Sequence, residues 1–63
     1  MTFKIKDARK ESGLTQKELA ELSNVSRATI AGLETGSLTV TTTDTLIRIA
    51  KALNKKVSDI FLD

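Results

Sequence analysis

Apolar positions along the chain recur at helical rather than strand spacing. Ile5 and Ala8, with Ser12 one turn further, fall on one side of a first segment whose other side carries Lys4, Lys6, Asp7, Lys10 and Glu11. Leu19, Ala20, Leu22 and Ser23 mark a second segment, Ile30 and Leu33 a third, and Leu46, Ile47, Ile49, Ala50 and Leu53 a fourth. The residues between these segments punctuate them. Gly13 suits the left-handed position that ends a helix. Thr15 reads as an N-cap, with Glu18 at capping-box spacing. Asn24 tolerates positive φ and reads as a tight turn, Ser26 as the cap of the third helix and Gly36 as its end. From Ser37 to Thr43 the sequence S-L-T-V-T-T-T is rich in hydroxyls and β-branched residues, which predicts an extended loop, with a short strand as the weaker alternative. Thr41 or Thr42 then caps the fourth helix, Asn54 ends it, and residues 57–61 form a last turn capped by Ser58. The pattern predicts an all-α bundle of five short helices.

Composition narrows what such a bundle can do. The 63 residues make a single domain, 1–63, with one small core near the lower size limit for unaided folding. Cys and His are both absent, so disulfides and thiolate sites are excluded and no metal site is expected. Tyr is absent too, which leaves general-base and nucleophile chemistry to carboxylates and lysines scattered along polar helix faces. Solvation explains those residues, and neither a catalytic residue nor enzyme activity is expected. No apolar run approaches membrane-spanning length, and Met1-Thr2-Phe3-Lys4 is not a signal peptide, so the expected location is the cytoplasm. A net charge of +2 is compatible with a nucleic-acid partner without demanding one.

The break at Ser23-Asn24-Val25-Ser26 is the most informative feature. Two short helices joined by a three-to-four-residue turn make a helix-turn-helix, in which one helix crosses the phosphate backbone while the next enters the major groove. Leu19, Val25, Ile30 and Leu33 are spaced to pin the pair together. Ala20 lies where the helices would cross, and a large side chain there would hold them apart.

The stretches IKDARKESGLTQKELAELSNVSRATIAGLETG and TLIRIAKALNKKVSDIF, which lie within residues 5–61, resemble the Cro/CI-type (XRE-like, lambda-repressor-like) DNA-binding domains. The resemblance implies a five-helix fold with helices two and three as the motif. It implies that Gln16 grips a phosphate and that Lys17 adds a second phosphate contact. Ser26, Arg27, Ala28 and Thr29 would open the recognition helix. Arg27 would read guanine O6 and N7 through its forked guanidinium. Ala28 and Gly32 would lie at the bases, with Ser26, Thr29 and Ser37 on the backbone. The same resemblance implies a partly buried ion pair between Arg9 and Glu34.

The chain also departs from the family pattern. Ala31 and Gly32 stand where polar side chains are common, and the glycine costs the helix about 1 kcal/mol against alanine. Close approach of the backbone to DNA would explain it, as would simple tolerance. The loop from Ser37 to Thr43 holds no Lys or Arg, so phosphate contacts there fall to hydroxyls and backbone N–H groups. Specificity is therefore expected to lean on DNA shape and half-site spacing.

These readings lead to a sequence-specific, double-stranded-DNA-binding transcriptional regulator. The expected form is a repressor of phage or bacterial type that occupies a palindromic operator as a homodimer. No cofactor or small-molecule ligand is implied. An antitoxin-like protein-binding module of the same fold is the alternative. Ile60-Phe61-Leu62 sets three large apolar residues in a row, and one helical turn cannot point all three into one core. Ile60 and Phe61 are expected inside, and Leu62 at the dimer contact with part of the fourth-helix surface.

Overall fold

The computed structural model describes residues 2–62, with the side chains of residues 3–60. Within them the chain forms helices α1 (Ile5–Glu11), α2 (Gln16–Ser23), α3 (Arg27–Thr35), α4 (Thr43–Ala52) and α5 (Val57–Ile60). Residues 38–42 carry neither helix nor strand. Two short strands, β1 (Thr2–Phe3) and β2 (Phe61–Leu62), pair antiparallel, with Thr2 opposite Leu62 and Phe3 opposite Phe61. The helical pattern contains no hint of this pairing. A two-residue strand has too few positions to show alternation, and each exists only because the other is beside it. The Lys4 amide, donating to the Ile60 carbonyl at 2.8 Å, continues the tie between the chain ends.

Most helix boundaries follow from local chemistry. The Thr15 hydroxyl accepts from the Glu18 amide at 3.0 Å while the Glu18 carboxylate accepts from the Thr15 amide at 2.9 Å, a complete capping box. Thr42, rather than Thr41, caps α4 through the Thr45 amide at 3.1 Å. Asn24 at φ 57° and Asn54 at φ 56° take the left-handed conformation that ends α2 and follows α4. The last helix corrects an expectation: Ser58 lies inside α5 and does not cap it. The Lys56 amide donates instead to the Asp59 carboxylate at 3.0 Å. The first-turn acid thus ties back to the amide of the residue that precedes the helix, the reverse half of a capping box.

The core is stitched from one residue of every helix. Ile5, Leu19, Ile30, Ile49 and Ile60, from α1 to α5 in order, are all completely buried. Ala8, Leu33, Leu46, Ala50 and Leu53 complete it, and Phe3, Leu14, Ala20 and Val25 pack against it half-buried. Ser23 is buried although polar, and its hydroxyl donates to the Leu19 carbonyl at 2.7 Å, so its burial leaves nothing unpaired. Leu22 falls off the row set by Leu19 and Ser23 and is 62% exposed, although its segment reads as apolar. Ile47 on α4 likewise turns outward.

Candidate nucleic-acid interface

The geometry of α2 and α3 is fixed at both ends of the turn between them. Asn24 reverses the chain in the left-handed conformation, and the Val25 amide donates back to the Ala20 carbonyl at 3.2 Å. Ser26 then caps α3: its hydroxyl accepts from the Thr29 amide at 3.2 Å and shares a hydrogen bond with the Thr29 hydroxyl at 2.8 Å. Leu19, Ile30 and Leu33 lock the inner faces together.

A polar network buttresses the same unit from behind. The Arg9 guanidinium grips Glu34 with both prongs, Nε to Oε2 at 2.7 Å and Nη2 to Oε1 at 3.0 Å. Its Nη1 donates to the Leu14 carbonyl at 2.7 Å, and Gln16 Nε2 donates to Glu34 Oε1 at 3.2 Å. The Arg9 side chain is 11% exposed and that of Glu34 only 2%. One carboxylate therefore joins α1, the start of α2 and the end of α3. Burial pushes the Glu34 carboxyl upward, but hydrogen bonds from Arg9 and Gln16, helped by the charges of Arg9 and Lys6, hold it below the usual carboxylate range. The Arg9 guanidinium, mainly through its hydrogen bond to Glu34, becomes a still weaker acid.

On the outer side, Arg27 and Ala28 are exposed at the start of α3, and Lys17 is exposed at the start of α2. Neither Arg27 nor Lys17 forms an ion pair among the described residues, so both positive charges are available to a partner. Gln16 commits one amide hydrogen to Glu34, which orients the side chain and leaves its second hydrogen and its carbonyl oxygen for another group. Ser26 is exposed and Thr29 half-buried, coupled to each other through the cap. Ser37 is exposed beyond the end of α3, its hydroxyl 3.2 Å from that of Thr35.

Gly32 is not where its expected role requires. It is buried, not exposed. A Cβ built on it would stand 2.8 Å from both Cγ and Cδ1 of Leu38, and its carbonyl accepts from the Leu38 amide at 2.9 Å. The glycine makes room for the loop to fold over the helix. Leu38 covers it, and Gly32 leaves the base-reading set for that reason. A leucine in a loop otherwise made of hydroxyl and β-branched residues, close after a mid-helix glycine, was the available signal. The expected dimer contact at Leu62 falls on a side chain outside the described residues.

Among the described residues no group of acidic side chains could hold a metal ion, and no helix is long and apolar enough to cross a membrane.

Comparison with known proteins adds to this geometry. The helix-turn-helix family matches residues 5–60. A protein from Methanothermobacter thermautotrophicus described as an uncharacterized HTH-type transcriptional regulator is 47% identical over 62 residues, covering 92% of this chain and 84% of the relative. The crystal structure of the restriction-modification controller protein C.AhdI from Aeromonas hydrophila matches with a TM-score of 0.84 at 29% identity, over 92% of this chain and 86% of the controller.

Proposed function

The chain belongs to the helix-turn-helix family as a DNA-binding transcriptional regulator, and from that premise we propose that it is a sequence-specific repressor occupying a palindromic operator as a symmetric dimer. The observation that supports this reading most is the Arg9–Glu34–Gln16 network. It fixes the start of α2 against the end of α3 while leaving Lys17 and Arg27 exposed and unpaired. Rigid presentation of a helix is what groove reading needs, because a loose helix would lose its base contacts to disorder.

In the proposed complex α2 lies across the backbone. Its first-turn amides and positive dipole end, with Gln16 and Lys17, meet phosphate. The α3 helix enters the major groove with Arg27 foremost, bidentate to a guanine, and with Ala28 beside it. Ser26, Thr29 and Ser37 hold flanking phosphate oxygens through their hydroxyls. Two copies related by a dyad would present two such helices to two half-sites, and repression follows from exclusion of polymerase. Ile47, an apolar residue 38% exposed on α4, is consistent with a subunit contact on that side of the molecule.

Binding-site selection from random duplexes tests the proposal. The expected result is a dyad-symmetric consensus with half-sites spaced by about 34 Å, one helical turn. A pool with no consensus would remove sequence specificity, and a consensus without dyad symmetry would remove the dimer. Few strictly required bases per half-site are expected, because Arg27 is the only long side chain at the head of α3.

A further inference from the structure

Resting on the DNA-reading function above, we infer that Leu38 is a further specificity-determining residue, one that recognises the C5-methyl group of a thymine in the major groove. On α3 the buried residues Ile30 and Leu33 occupy the core side. Ala28, Ala31, Gly32 and Thr35 follow the i, i+3, i+4, i+7 spacing of a single row away from that side. Gly32 belongs to this outward row and is nevertheless buried, because Leu38 covers it. Two Leu38 carbons lie 2.8 Å from where the Cβ of a side chain at 32 would stand, so the leucine fills the place of that missing side chain. Its own amide, bonded to the Gly32 carbonyl at 2.9 Å, pins the loop there. Leu38 remains 39% exposed, so its apolar surface is displayed and not spent on the core.

The outward row is thus two alanine methyls, the Leu38 isobutyl group and Thr35. Such a surface has almost no hydrogen-bonding groups with which to distinguish base edges. The one base-specific apolar feature of the major groove is the thymine methyl. Arg27 reads a guanine at the head of the helix, and Leu38 reads a methyl further along it.

Replacing each thymine of the selected half-site by deoxyuracil tests this directly, since the exchange removes one methyl and keeps base pairing. Wild-type protein is expected to lose about fourfold in affinity at one thymine per half-site, the equivalent of one buried methyl. Leu38→Ala should bind the thymine and uracil operators equally at that step while keeping its preference at the guanine assigned to Arg27. Gly32→Ala, whose new Cβ displaces Leu38, should show the same selective loss. A leucine that merely packs on α3 would leave the uracil pattern unchanged in Leu38→Ala, and that result overturns the inference. So does wild-type indifference to every uracil, or a consensus without thymine inside the half-site; neither depends on a variant folding. Failure to select any consensus would instead remove the DNA-reading function itself, so the two failures are distinct.

Discussion

Arg27 and Lys17 are both exposed cations at the start of a helix, yet they are expected to act on different parts of the duplex. A guanidinium bonded to both acceptors of a guanine edge depends on that base. Arg27→Ala should therefore lose about 1–3 kcal/mol on the operator and relax preference at one base pair. A lysine on phosphate carries no sequence information. Lys17→Ala should weaken operator, one-base variant and random DNA alike, and lower the salt slope by about one because one fewer counterion is released. Gln16 is neutral, so its loss should weaken binding with little change in that slope. Titrating the variants against the three duplexes at several salt concentrations separates the roles. Equal weakening of all three by Arg27→Ala would make it a phosphate clamp.

The angle between α2 and α3 depends on one residue at φ 57°. Left-handed backbone costs an ordinary L-residue about 1–2 kcal/mol, and Asn and Gly less. Asn24→Ala is accordingly expected to lower unfolding stability by about 1–2 kcal/mol, and Asn24→Gly to stay near wild type. Urea unfolding of both variants checks this. Equal stability of the alanine and glycine variants would mean that the turn does not depend on the left-handed state. The same chemistry made the elements legible beforehand: Thr15, Asn24, Ser26 and Gly36 act on backbone groups within a few residues of themselves. Ser58 misled because α5 begins one residue earlier, at Val57, where the Asp59 carboxylate accepts from the Lys56 amide and fixes the first turn.

For the molecule as a whole, the Arg9–Glu34 pair is the long-range polar tie between α1 and α3. Removing either partner strands a largely desolvated charge at a cost of about 3–5 kcal/mol. A core of this size supplies little more than about 3–5 kcal/mol in total. Arg9→Ala and Glu34→Ala are each expected to be largely unfolded at room temperature, as read by circular dichroism. The Arg9→Met, Glu34→Leu double variant should keep more structure than either, because it strands no charge. Two single variants melting within a few degrees of wild type would sink this account. Acid should act through the same pair. Glu34 is held below the ordinary carboxylate range, so the unfolded chain takes up its proton first. The stabilisation is therefore present above the unfolded carboxylate pKa and is lost as pH falls through the folded one. A pH series of melts should show that loss in the wild type. Assembly belongs to this scale as well. A dimer is expected by sedimentation at high concentration, with two chains per full operator; a monomer bound singly to the operator would refute it.

The sequence by itself determined most of what acts over a few residues: the helical periods, the caps and turns of α2, α3 and α4, and through them the two-helix unit that presents Arg27. These signals are local, since an N-cap or a left-handed turn is satisfied by its own neighbours whatever the rest of the chain does. The resemblance carried the expectation further, to a pairing of Arg9 with Glu34, residues separated by 25 positions. Tertiary structure alone decided which apolar side chains are covered. Leu22 and Ile47 sit in apolar segments but lie off the buried rows, a matter of how helices cross that periodicity leaves open. It also decided the pairing of β1 with β2, because strands of two residues have no pattern until the chain ends meet. Gly32 shows the limit most plainly. Helical spacing puts it on the outward row, and only the path of the loop brings Leu38 across to bury it. The spacing of a residue within its own helix sets the direction it faces, but what stands in front of it depends on segments that approach from elsewhere in the chain.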